Sequence, residues 1–184
     1  MKKVFIVHGW AGNPTVNWFP WLKSELEKQQ IEVSVLSMPD SENPNQESWV
    51  NYLNKNLPNP NDDTILIGHS LGGITILRYI ESLSDNVRLG GIVLVSAFAK
   101  TIGYPEPDSF LKTAVDFEKI KKVVSNNAVI INSDNDPYVP NSIAEDLYQN
   151  VGGEFISIHS GGHLTDKDGF VNFPEVLKAV NKFI

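Results

Sequence analysis

A chain of 184 residues with 22 acidic against 15 basic side chains carries a net charge of −7, which repels a phosphate backbone, so no nucleic-acid partner is expected. Cysteine is absent, which excludes disulfides, thiolate zinc sites and a cysteine nucleophile together, leaves serine, threonine or a carboxylate for covalent chemistry, and fits a reducing cytoplasm. The length suits one domain over residues 1–184, able to bury roughly 70% of the surface its unfolded chain exposes.

After Met1-Lys2-Lys3 only four apolar residues, Val4 to Val7, precede His8-Gly9, too few for a signal-peptide core but enough for a buried strand. No segment approaches membrane-spanning length, so no membrane association and a cytoplasmic location are expected. The glycine-rich loop "VHGWAGNP", Val7 to Pro14, lacks both the dinucleotide glycine spacing and the Gly-Lys-Ser/Thr ending of a phosphate-binding loop. The amide of Trp10 could meet that of Leu71 at a developing negative charge; an ordinary surface turn is the alternative. Trp18, Trp21, Leu22 and Leu26 then share one helix face, and Val33 to Leu36 reads as a second strand.

The third apolar run, Thr64 to Ile67, ends in Gly68-His69-Ser70-Leu71-Gly72, followed by a helical face of Leu71, Ile74, Leu77 and Ile80. A Gly-x-Ser-x-Gly pattern is informative when a strand precedes it and a helix follows: the glycines let the helix pack close while the serine sits on a strained turn above the sheet edge. Both conditions hold, which makes Ser70 the candidate nucleophile. His8 and His69 lie inside backbone motifs and are expected to be packed, satisfied imidazoles.

Ile92 to Val95 is a fourth strand, and the irregular stretch Ala99 to Asp116 has room for a small flap, not a lid domain. Lys119, Lys121 and Lys122 read as a solvated helix face. After a fifth strand, Ala128 to Ile131, "NSDNDPYVP" offers two carboxylates. A calcium loop is rejected because Val139 stands where the turn glycine belongs and two prolines intrude. Asp136 is favoured over Asp134 because Pro137 restricts it to an extended backbone that can fix its carboxylate. Ser142 with Glu145 resembles a capping box. After a sixth strand, Phe155 to Ile158, comes "HSGGHL". Pairing His159 with His163 and Asp166 or Asp168 specifies no metal geometry. His163, beyond Gly161-Gly162, has the freedom to reach across, whereas His159 at the strand end suits a structural hydrogen bond. Pro174 opens a last helix presenting Val176, Leu177 and Val180.

Strands alternating with helices predict a parallel sheet with helices on both faces. In the order 2-1-3-4-5-6, strands one and three flank the crevice where ligands bind. Asp136 would lie about 10 Å from strand three, and two hydrogen bonds plus an imidazole bridge roughly 8 Å. His163 can therefore join Ser70 to Asp136, and the chain order Ser, Asp, His is that of α/β-hydrolases.

Nearly end to end, the chain resembles the small α/β-hydrolases of the YdeN and retinoblastoma-binding protein nine family. The likeness rests on "HGW" with "NWFPWLK", "MPD" at Met38 to Asp40, "IGHSLGG", "VLVSAF", "DNDPYVP" and "GGH". It implies a minimal, lidless three-layer α/β-hydrolase with Ser70, Asp136 and His163 at the family's triad positions. The binding motif of the animal member contains cysteine and this chain has none, so retinoblastoma binding is not expected; "NWFPWLK" and "GGHLTDKDGF" suggest the bacterial branch.

The expected activity is cleavage of a small acyl ester through an acyl-enzyme, with no metal or organic cofactor. Trp10, Trp18, Phe19, Tyr104, Tyr138 and Leu164 are candidates to line the substrate cleft, although core packing suits Trp18 and Trp21 better. Amide, peptide-end or thioester cleavage by the same groups, or a non-catalytic protein-binding module on this scaffold, are the alternatives.

Overall fold

A computed structural model describes all 184 residues, Met1–Ile184. Six parallel strands form one sheet in the order β2-β1-β3-β4-β5-β6: β1 Lys3–Val7, β2 Glu32–Leu36, β3 Thr64–His69, β4 Gly91–Val95, β5 Ala128–Ser133 and β6 Glu154–Ile158. The crossovers carry α1 Phe19–Glu27, α2 Gln46–Asn56, α3 Leu71–Ser82, α4 Phe117–Val124 and α5 Asn141–Val151, and α6 Pro174–Val180 closes the chain. No helix is long and apolar enough to cross a membrane.

Every residue of β3, β4 and β5 is buried, as their unbroken apolar runs require of strands covered on both faces. Side chains alternate between two cores. Leu66, Ile92, Leu94 and Ile130 face the layer of α2, α3, α4 and α5, while Ile65, Ile67, Val93 and Ile131 face α1 and α6. Trp18, Phe19, Leu22 and Leu26 are all fully buried in the second core, each such side chain contributing about 1.5–3 kcal/mol.

Local signals explain most element ends. Asn45 caps α2 by accepting from the Ser48 amide at 3.3 Å, and Asp116 caps α4 through the Lys119 amide at 3.0 Å. Two expectations are corrected. Helix α5 starts at Asn141, directly after Pro140, so Ser142 lies within the first turn and makes no cap; Asn141 instead bonds Glu145 at 2.7 Å. Lys119 is not on the solvated face, because its ammonium donates to the Glu81 and Leu83 carbonyls and satisfies the end of α3.

The stretch Ala99 to Asp116 is a loop with one 3₁₀ turn, Asp108–Phe110, not a separate lid. Phe110 is fully buried, and Arg78 of α3 donates to the carbonyls of Phe110, Thr113 and Ala114 while pairing with Glu81. The distal part of the loop is therefore fastened to the core, which leaves Ile102 to Pro107 over the carboxyl edge of the sheet.

Candidate active site

Strand β3 runs into α3 through Ser70, whose φ of 54° and ψ of −122° lie in a region that L-residues avoid. The turn is held from both sides: the Ser70 amide donates to Val95 O at 2.8 Å, and its carbonyl accepts from Gly73 N at 2.9 Å. Gly72 is required here because a Cβ at that position would collide with Val7 O of β1. A serine opening a helix ordinarily caps it, but in this conformation Ser70 makes no cap bond. Its hydroxyl is free in a cleft of about 540 Å³ that His163 also lines.

His163 Nδ1 lies 3.0 and 2.9 Å from the two Asp136 oxygens. A carboxylate can only accept, so Nδ1 carries the proton and the Nε2 lone pair is left for the cleft. Asp136 Oδ1 also accepts from the Tyr138 and Val139 amides at 2.9 and 3.0 Å, the turn set up by Pro137. Burial pushes the Asp136 carboxyl up, but the His163 hydrogen bond and charge and the two amides outweigh it and hold the group below its ordinary value. The Asp136 side chain is fully buried and that of His163 is 12% exposed. Ser70 and His163 share the cleft without a hydrogen bond between them, a contact that in unliganded enzymes often tightens only on substrate binding.

The loop carrying His163 is clamped from within the core. His69 Nε2 donates to His163 O at 2.9 Å, joined by Ser96 Oγ at 3.4 Å, and Trp18 Nε1 donates to Leu164 O at 3.1 Å. On the outer side Asp168 accepts from the His163 and Thr165 amides, both at 3.1 Å. Gly162, with φ of 59°, lets the chain pass over that carboxylate where a Cβ would strike it. Burial first, and then the neighbouring His163, lower the His69 pKa to about 3, so its ring is neutral. That neutrality matters because the two rings are 4.9 Å apart, and a like charge there would cost about 3 kcal/mol at an effective dielectric near 20.

His8 is likewise buried and neutral: Nδ1–H donates to Gly9 O at 2.7 Å and Nε2 accepts from Met38 N at 3.1 Å. It sets the loop after β1, in which Ala11 N bonds Ser41 O and the Trp10 indole bonds Glu42 O, at 2.8 and 2.9 Å. Gly9 lies against Ser70. The amides of Trp10 and Leu71 donate to no protein acceptor, and Leu71 opens α3, where the helix dipole favours negative charge.

Of the aromatic and apolar side chains expected around the substrate, Trp10, Tyr104 and Tyr138 line the cleft. Trp18, Phe19 and Leu164 do not: all three are fully buried in the core of α1 and α6, as the helical spacing of Trp18 allowed. Ile102, Glu106 and Pro107 from the long loop, with Asn17, Phe98 and Asp166, complete the walls; only the glycine and proline turns around them were visible in the sequence. Asp134 and His159 form a separate surface pair at 2.6 Å, with Ser160 Oγ 3.3 Å from His159 Nε2. None of these three lines the cleft, and the His159 side chain is 90% exposed. The Ser160 amide and then His159 lower the Asp134 carboxyl. No group of three His, Asp or Glu side chains is placed to hold a metal ion.

A doubly wound sheet with a serine elbow at the β3–α3 junction defines an α/β-hydrolase. The chain belongs to the serine hydrolase family, whose model matches residues 4–182, and it is a hydrolytic enzyme of that class. It is 35% identical over 183 residues to the protein YdeN of Bacillus subtilis (strain 168), covering 99% of this chain and 96% of that one. It is 24% identical over 187 residues to serine hydrolase RBBP9 of Rattus norvegicus, with 99% and 95% covered. The crystal structure of the B. subtilis ydeN gene product superposes with a TM-score of 0.93 at 33% identity, covering 100% of this chain and 98% of that one.

Proposed function

We propose that the enzyme cleaves small acyl esters through a covalent intermediate on Ser70, with His163 as general base and Asp136 as its partner. The carrying observation is the commitment of His163 Nδ1 to a buried carboxylate, which leaves the Nε2 lone pair for the cleft that the unbonded Ser70 hydroxyl also lines. In the first half-reaction Nε2 takes the Ser70 proton as Oγ attacks the acyl carbon, and the resulting imidazolium returns it to the leaving alcohol. Water, deprotonated by the same nitrogen, then attacks the acyl-enzyme, and the imidazolium returns that proton to Ser70 Oγ as the bond to the acyl carbon breaks and the acid leaves. Asp136 fixes the tautomer and stabilises the imidazolium, while neutral His69 adds no opposing charge.

The free Trp10 and Leu71 amides would receive the oxyanion, a donor of this kind typically contributing ~10²–10³ in rate. Tyr104 and Tyr138, with ring centroids 6.0 Å apart, and Phe98 and Ile102 offer the acyl group an apolar wall. The partner is thus a small acyl compound. A panel of acyl esters and matched amides, assayed with the wild type, His163→Ala and Asp136→Asn, tests the reading. Ester turnover lost in His163→Ala is expected; full turnover in that variant would refute the assigned base.

A further inference from the structure

We propose that the Ser133 hydroxyl and the Asn135 side-chain carbonyl act as one hydrogen-bonded pair that positions the His163 imidazole. The inference rests on His163 as the base in acyl transfer; neither residue of the pair lines the cleft. Strand β5 ends at Ser133, level with Ile158 at the end of β6, so the segments leaving the two strands run side by side. The one after β6 enters the left-handed region at Ser160, Gly162 and Leu164, with φ of 52°, 59° and 57°. Such a path carries no regular backbone ladder, and the amides of Ser160, Gly161 and Gly162 donate to no backbone carbonyl.

Consecutive side chains at the end of β5 receive them instead. Ser160 N donates to Asp134 Oδ1 at 2.7 Å, Gly161 N to Ser133 Oγ at 2.7 Å and Gly162 N to Asn135 Oδ1 at 2.9 Å, and the pair of Asp136 with His163 comes next. An amide can only donate, so Ser133 Oγ accepts from Gly161 and its own proton goes to Asn135 Oδ1, 2.7 Å away. Asn135 Oδ1 thus takes two donors, which fixes the end of its amide that faces Gly162. One hydroxyl therefore orders both peptide units ahead of His163. Ser133 is fully buried and so is its bond to Gly161, so loss of Oγ would strand a desolvated donor.

The pair supplies something the carboxylate does not. His163 Nδ1 lies 3.0 and 2.9 Å from the two Asp136 oxygens, and a proton shared so evenly lets the ring pivot about them. Direction must come from the backbone. His69 and Asp168 hold the carbonyl and the amide of His163 itself, while Ser133 and Asn135 hold the two peptide units before it. Proton transfer at Nε2 is sensitive to that aim, since a misplacement of about 1 Å costs roughly 10²-fold in rate.

The experiment compares the wild type with Ser133→Ala, Asn135→Ala and Asn135→Asp. Asn135 is exposed, so its variants cut or restore the link without opening the core, even if Ser133→Ala fails to fold. With para-nitrophenyl acetate, kcat is expected to fall about 10- to 100-fold in the alanine variants while KM stays within about twofold. Asn135→Asp, which supplies an acceptor for both donors, should recover most of that loss. The resting enzyme reports the same link without turnover: the His163 Nδ1 proton, followed by NMR, should exchange with solvent about tenfold faster or more in the alanine variants, as its bond to the carboxylate weakens. Unaltered kcat and proton exchange in Asn135→Ala, a loss carried by KM alone, or no recovery in Asn135→Asp overturns the proposal. An ester-inert wild type whose Nδ1 proton still exchanges faster in the alanine variants would discard the acyl-transfer reading and keep the positioning role.

Discussion

Titration of His69 provides a test of how the loop carrying His163 is held. Its folded pKa is lowered from 6.5 to about 3 by burial and by the adjacent His163. Between those values the unfolded chain binds a proton that the folded chain refuses, so stability rises with pH across the window and falls as the solution is acidified. At pH 4.5 the unfolded imidazole is almost fully protonated and the folded one almost fully neutral, which corresponds to about 2.7 kcal/mol of stability lost relative to pH 7.5. Glutamine at this position keeps an N–H for the His163 carbonyl but cannot titrate. Urea unfolding of wild type and His69→Gln at both pH values should therefore give a pH-dependent loss smaller by about that amount in the variant. Equal losses in the two proteins would show that His69 titrates normally in the folded state and would refute the neutral clamp.

Other consequences follow from individual contacts. Asp136→Asn should lower kcat by about 10³- to 10⁴-fold because the imidazole takes the wrong tautomer, whereas Asp134→Asn, whose carboxylate meets the exposed His159 and the Ser160 amide outside the cleft, should stay within about threefold of wild type in the same ester assay. Gly72→Ala should destabilise the fold by about 1–3 kcal/mol or more in urea titration, since its methyl group meets the Val7 carbonyl across the α3–β1 contact. Arg78→Met should free the segment from Phe110 to Asp116, seen as new proteolytic cleavage there, with a stability loss of about 3–5 kcal/mol.

The sheet and its order were legible because each buried strand is written as an unbroken Val/Ile run and each site residue falls just past a strand end. That Ser70, Asp136 and His163 would be brought together was readable for the same reason: topology gathers the carboxyl ends of β3, β5 and β6. What escaped depends on side-chain direction. Trp18 and Phe19 lie near the cleft in sequence terms, yet the first turn of α1 points them into the core, where Trp18 serves the site through one hydrogen bond to Leu164 O. Leu164, beside His163, adopts a φ of 57° that turns it inward. Lys119 sits in a basic run, but only the packed structure shows that it lies over the open carbonyls of α3.

Fluorophosphonate labelling followed by peptide mapping addresses most directly whether Ser70 is an activated nucleophile. A single adduct on Ser70 in the folded wild type, with none in Ser70→Ala and none on Ser160, is the expected result. A folded wild type that stays unmodified, or carries the adduct on another residue, contradicts it.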